Sequence, residues 1–275
     1  MAAINIKQFD PTTIKPYRII YFIGRRGTGK STLVRDIMYH LRNSIDRPVA
    51  ITPTEESRMM FEDHMPESCV HSSWNPSIMT KLVDKQRRDC KKKKPLKHVM
   101  VVMDDCMADK SIFKGPSMRD VFMNGRHLHI TFINAMQYSM ELDISLRSQI
   151  DFVFALRENI PVNKVKLYKY FFGGFETYAD FSTVFDACTE NNECLVIDNT
   201  VKSNNIADMV FWYKANLDNP PFVMGEKVLW NLHYKYFRSD EEMQKIREER
   251  ASPNGDKKQK ITMVSKTRVS SSMIA

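Results

Sequence analysis

Nine consecutive residues, Gly24-Arg25-Arg26-Gly27-Thr28-Gly29-Lys30-Ser31-Thr32, have the types and spacing needed to grip a polyphosphate. They satisfy G-x-x-x-x-G-K-[ST] in full. An apolar run, Ile19 to Ile23, precedes them, and Leu33, Ile37, Met38 and Leu41 follow at helical spacing. Glycines let backbone N–H groups curl around phosphate oxygens, and the start of the following helix adds the positive end of its dipole. Lys30 then reaches the β- and γ-phosphates, and the Ser31 hydroxyl ligates Mg²⁺. The cofactors expected are ATP and Mg²⁺. GTP is disfavoured, because Asn163-Lys164-Val165-Lys166 lacks the aspartate of the guanine-reading N-K-x-D pattern.

About seventy residues downstream, the apolar run from His98 closes on Asp104 and Asp105. Asp104 can reach the Mg²⁺ that Ser31 holds, and Asp105 can orient or deprotonate the attacking water. Gln137 ends the next apolar run, His129 to Gln137. It reads either as an amide touching the γ-phosphate and the water or as an ordinary polar strand end. Arg126 and Arg147 each precede a strand. Both are candidates to neutralise transition-state charge from a neighbouring subunit, although the commoner reading of either alone is a surface residue. His127 and His129 lack a third ligand nearby and read as packing residues. The stretch Lys85 to Lys97, the most basic in the chain, is either a solvated loop or a contact for nucleic-acid phosphates. No aromatic residue interleaves it, which favours backbone contacts over base stacking.

These residues need a scaffold, and the hydropathy pattern supplies one. Strands are expected at Ile19 to Ile23, Val49 to Thr52, His98 to Asp105, His129 to Gln137 and Asp151 to Leu156. Later strands are expected at Cys194 to Asp198 and Val210 to Lys214. Helices are expected after Lys30, after Thr54, after Asn75-Pro76, from Pro116 to Met123, from Val162 to Phe172 and from Tyr178 to Cys188. Strands alternating with helices predict an α/β fold, a mainly parallel sheet covered on both faces. Residues 1–237 read as one motor-sized domain. Residues 238–275 read as a charged helix followed by a mobile tail.

Composition sets the outer bounds. No apolar run approaches membrane-spanning length and no signal peptide is evident at the N-terminus. Five cysteines without C-x-x-C pairing suit reduced thiols in a cytosol-like compartment. A net charge of +8 permits a polyanionic partner without demanding one.

Taken jointly, these motifs resemble the FtsK/HerA superfamily of DNA-pumping ATPases, and within it the genome-packaging ATPases of poxviruses and other large nucleocytoplasmic DNA viruses. The resemblance rests on Phe22 to Leu33, Ile51-Thr52-Pro53-Thr54-Glu55, Met103-Asp104-Asp105-Cys106, Asn124-Gly125-Arg126-His127, Met136-Gln137-Tyr138 and Leu146 to Asp151. It implies a P-loop NTPase fold of the RecA-like, ASCE kind, assembled into a homo-oligomeric ring. Gln137 would sense the γ-phosphate and arginine would act across the subunit boundary. The implied partners are double-stranded DNA and capsid or portal components, in the virion or the cytoplasmic virus factory. The chain departs from the superfamily at Asp105, where glutamate is common, and no winged-helix DNA-binding domain is evident. Two other readings are a nucleoside or small-molecule kinase, and a nucleic-acid-binding module with a vestigial phosphate loop. The intact Lys30, Ser31 and Asp104 argue against the second.

Overall fold

The computed structural model describes residues 5–106, 110–137, 142–203, 205–239 and 242–245. The elements run β1 (Lys7–Gln8), β2 (Ile19–Ile23), α1 (Lys30–Leu41), β3 (Arg47–Ile51), α2 (Glu55–Glu62), β4 (Val70–His71), α3 (Pro76–Lys91), β5 (Val99–Asp104) and α4 (Pro116–Asn124). There follow β6 (Ile130–Met136), α5 (Ile144–Arg147), β7 (Phe152–Leu156), α6 (Pro161–Phe171), α7 (Tyr178–Ala187), β8 (Glu193–Asp198), α8 (Ile206–Met209), β9 (Val210–Lys214) and α9 (Lys227–Tyr236). Among the described residues they form one nine-stranded sheet in the order β1-β9-β8-β7-β2-β6-β5-β3-β4.

The sheet is mainly parallel, as expected, with one reversal: β8 runs antiparallel to both β7 and β9. Connection length explains it. A single crossover helix returns the chain to the edge where the last strand began, whereas the pair α6 and α7 brings it back to the edge it left. The four-residue α8 is too short to cross over, so β9 reverses again.

All five residues of β2 are buried, which requires cover on both sides. Ile19, Tyr21 and Ile23 join Val101, Phe132 and Val153 in a core reached by Met79 and Val83 of α3, Val121 of α4 and Phe181 of α7. Ile20 and Phe22 point the opposite way, because successive strand residues alternate. On that side lies α1, tied down where Tyr213 Oη donates to its buried Asp36 at 2.5 Å.

The basic stretch departs from its reading as a loop. Asn75 caps α3 by accepting from Ser77 N at 2.9 Å, and the helix continues through Lys91. Lysine and arginine are good helix formers, so charge alone does not end a helix. Lys93 ends it by adopting left-handed backbone, φ 51°. Gln86 then anchors the returning chain, its amide donating to Lys97 O and Leu128 O, both at 2.7 Å.

The chain falls into two compact units, residues 1–226 and 227–275, with α9 in the second. Of the charged helix expected over 238–250, residues 242–245 are helical; its remainder beyond 245, and the tail, lie outside the described residues. All five cysteines are unpaired. Among the described residues, no helix is long and apolar enough to cross a membrane.

Candidate active site

Parallel strands deliver their following loops to a common edge, and here that edge collects the chemistry. β6 lies between β2 and β5, with Ile23 level with Met136 and Asp104 level with Ala135. The loops after β2, β5 and β6 therefore emerge side by side. Backbone bonds fix their starts: Gly24 N donates to Met136 O at 3.0 Å, and Asp105 N donates to Ala135 O at 3.2 Å.

The phosphate loop spans Gly24 to Gly29. A Cβ on Gly24 would stand 2.8 Å from Leu156 Cβ, so no larger residue fits where the loop leaves the sheet. Gly29 holds φ 91° immediately before α1 and turns the chain into the helix without the strain a side chain would add. The Thr28 hydroxyl donates to Arg25 O at 2.7 Å and closes the loop on itself. Lys30 opens α1, so the free N–H groups of the first helical turn face the loop's mouth.

Asp104 is 3 % exposed, and its Oδ2 accepts from the Ser57 hydroxyl at 2.7 Å. Burial pushes its pKa above the ordinary carboxylate range, opposed by the Ser57 bond and the nearby Lys30 charge. Lys30 shows the reciprocal effect: burial lowers its pKa, while Asp104 and Asp105 favour its charged form. The three groups therefore share one electrostatic site. Ser57 was not read as functional from the sequence. No side chain caps α2, and Ser57, in its first turn, instead holds the acid.

Asp105 occupies left-handed backbone, φ 54°. The Gln137 amide donates to both of its carboxylate oxygens, at 2.8 and 2.9 Å. The expected base and the expected sensor are thus in direct contact. Beside them, burial and then the two acids push the Cys106 thiol up to about 12, so it stays neutral.

The two candidate fingers lie elsewhere. Arg126 precedes β6 and pairs with the buried Asp151, which precedes β7. Arg147 lays its guanidinium over the Tyr170 ring at 4.0 Å and donates to Leu142 O at 3.1 Å. Both sit at the edge where the parallel strands begin, a strand length of about 20 Å from their own phosphate loop. His129 packs as expected, stacked on Tyr17 with centroids 4.3 Å apart.

Sequence reading also missed a cavity of about 500 Å³ on the β7–β8 side of the phosphate loop, walled by Arg25 to Thr28, Arg157, Asn159, Asn191 and Asn192. Asn191-Asn192, a turn-prone pair between a helix and a strand, was the signal available.

Mg²⁺ binds hard oxygen donors, taking one or two from protein and the rest from phosphates and waters. Ser31 and the buried, hydrogen-bonded Asp104 fit that role. Among the described residues, no group of three or more His, Cys, Asp or Glu could hold a metal alone.

The sequence matches the Poxvirus A32 protein family over residues 7–215. Uncharacterized protein L437 of Acanthamoeba polyphaga mimivirus is 33% identical over 247 residues, covering 86% of this chain and 85% of its own. Uncharacterized protein 015R of Frog virus 3 (isolate Goorha) is 33% identical over 228 residues, covering 80% and 68%. Among solved structures, the genome packaging NTPase B204 of Sulfolobus turreted icosahedral virus 2, in complex with AMPPCP, matches with a TM-score of 0.53. It is 15% identical, and the match covers 74% of this chain and all of that one, a likeness of fold. With the family match spanning residues 7–215, most of the chain, the protein belongs to the Poxvirus A32 protein family.

Proposed function

We propose that this P-loop ATPase couples hydrolysis to movement of double-stranded DNA and so packages a viral genome into its capsid. The observation that carries the chemistry is the meeting of Lys30, Asp104, Asp105 and Gln137 at the ends of three adjacent strand positions, with Gln137 bonded to both oxygens of Asp105. The backbone N–H groups of Gly27 to Ser31 and the Lys30 ammonium bind the phosphates. Mg²⁺, held by Ser31 and Asp104, supplies charge neutralisation when bound. Asp105 accepts the proton of the attacking water. Gln137 must turn from Asp105 to meet the γ-phosphate, and that turn frees the carboxylate to act.

DNA as the moving substrate is supported by family membership, by the net charge of +8 and by the exposed Lys91 to Lys94. The neighbour B204 is itself described as a genome packaging NTPase. A homo-oligomeric ring working on a capsid or portal, in the virus factory or virion, completes the reading.

The test is ATP hydrolysis by wild type and Lys30→Ala, with and without double-stranded DNA, beside a mass measurement of the assembly. Mg²⁺-dependent turnover stimulated by DNA is expected, falling by at least about 100-fold in Lys30→Ala because the phosphates lose their charged partner. Unchanged turnover in a folded Lys30→Ala variant would sink the ATPase assignment. Turnover indifferent to DNA would sink the translocase.

A further inference from the structure

A triphosphate has two ends, and the strand order assigns them to opposite sides of the phosphate loop. Asp104 ends β5, Asp105 and Gln137 follow β5 and β6, and all three lie on one side of β2, where they must meet the terminal phosphate. The nucleoside then leaves toward β7 and β8, on the other side. The cavity of about 500 Å³ stands there, within the size range of small-ligand pockets, about 300–1,000 Å³.

We propose that Arg157, Asn191, Asn192 and Glu193 form the nucleoside half of the ATP site and hold its base and sugar. The proposal rests on the ATPase reading above and adds the residues that read the base and sugar. Arg157 follows β7 directly, and its Nε donates to Asn159 Oδ1 at 3.1 Å, which steadies the guanidinium plane. A steadied guanidinium offers a flat cationic face on which a purine can stack.

Asn191 and Asn192 hold φ 50° and 62°, a left-handed pair closed by Glu193 N donating to Glu190 O at 2.8 Å. That turn abuts the phosphate loop: Asn192 Cβ is 3.9 Å from where a Cβ on Gly29 would stand. Both side chains are exposed, and each amide carries donors and an acceptor for the edge of a base. The half-buried Glu193 adds a carboxylate to the same wall, an acceptor for ribose hydroxyls. The lining is mostly polar, which suits a sugar and a heteroaromatic edge better than an apolar ligand.

The experiment compares ATP with inorganic tripolyphosphate, which keeps the phosphates and lacks the nucleoside. Binding of each is titrated calorimetrically against wild type, Arg157→Ala, Arg157→Lys and Asn192→Gly, the last chosen because glycine keeps the left-handed turn. ATP affinity is expected to fall about tenfold in both Arg157 variants, since lysine keeps the charge but not the plane, while tripolyphosphate affinity is unchanged. Asn192→Gly should weaken ATP alone. Full rescue by Arg157→Lys, or equal losses for both ligands, would make Arg157 a phosphate contact and overturn the nucleoside subsite. Unaltered ATP binding in all variants would overturn it as well. Wild type that binds neither ligand would instead overturn the parent ATPase reading.

Discussion

At Asp105, one carboxylate in strained left-handed backbone faces a single amide through both oxygens. A general base contributes about 10²–10⁴-fold to such a reaction. Asp105→Asn is therefore expected to lower single-turnover ATP hydrolysis by at least about 100-fold while ATP affinity stays near wild type, since an asparagine amide cannot take the water's proton. Parallel loss of ATP binding would place Asp105 on the metal instead. Ser57 gives a contrasting case, because its hydroxyl serves an acid already 3 % exposed. Ser57→Ala leaves a buried carboxylate short of a partner, at a cost of about 1–3 kcal/mol, read by urea unfolding of the nucleotide-free protein. Stability equal to wild type would show that water replaces the hydroxyl. Residues in contiguous motifs were legible from sequence: Gly24 to Thr32, Asp104, Asp105. Ser57 and Asn192 were not, since their roles depend on contacts across 47 residues and across the sheet's reversal, which no local pattern encodes.

Elements show the same division. Strands of five or more residues and, up to α7, helices of eight or more were readable from periodicity; the ten-residue α9, none of whose residues is buried, was not. The two-residue edge strands β1 and β4 carry too few residues to show any. The antiparallel setting of β8 follows from a helix pair whose packing, Lys164 Nζ to Asp186 Oδ1 at 2.6 Å, joins residues distant in sequence. Asp151 illustrates how elements are stitched at the opposite edge. It accepts from Ile19 N at 2.9 Å and from Arg18 and Arg126, so the starts of β2, β6 and β7 share one buried acid. Burial raises its pKa above the ordinary aspartate value of 3.8, and the Ile19 N–H and the two arginines pull against that rise. A raised acid binds its proton more tightly folded than unfolded, so its contribution to stability is greatest below about pH 3.8 and falls as pH rises through the folded pKa. Arg126→Ala removes one compensating charge. It is expected to cost about 1 kcal/mol at neutral pH, modest because Arg126 is 62 % exposed. The difference from wild type should vanish in acid once Asp151 is protonated, and an equal loss at both pH values would show that the pair is not electrostatic.

For the whole molecule, the positions of Arg126 and the basic segment raise one question of geometry. Both lie where the parallel strands begin, while the phosphate loop lies where they end. An arginine there can reach a γ-phosphate only on another subunit. Mixing Arg126→Ala with Lys30→Ala is therefore expected to restore part of the hydrolysis that each lacks alone, since some interfaces in a mixed ring join an intact loop to an intact arginine. No rescue, with mixed assembly shown by mass, would remove Arg126 as a trans-acting finger. The same edge offers Lys91, Lys92, Lys93 and Lys94, all exposed, and among the described ion pairs none engages them. If they lie on DNA phosphates, each releases counterions on binding, and log K falls with log salt at about 0.9 per contact. Changing all four to Gln should weaken double-stranded DNA uniformly across sequences and flatten that slope by up to about 3.6. DNA-free ATP hydrolysis should persist, because the segment enters β5 at the end opposite Asp104, a strand length of about 20 Å away. A quadruple variant with wild-type affinity and slope would return the segment to a solvated surface and leave the DNA track to be sought on the other loops of the ring.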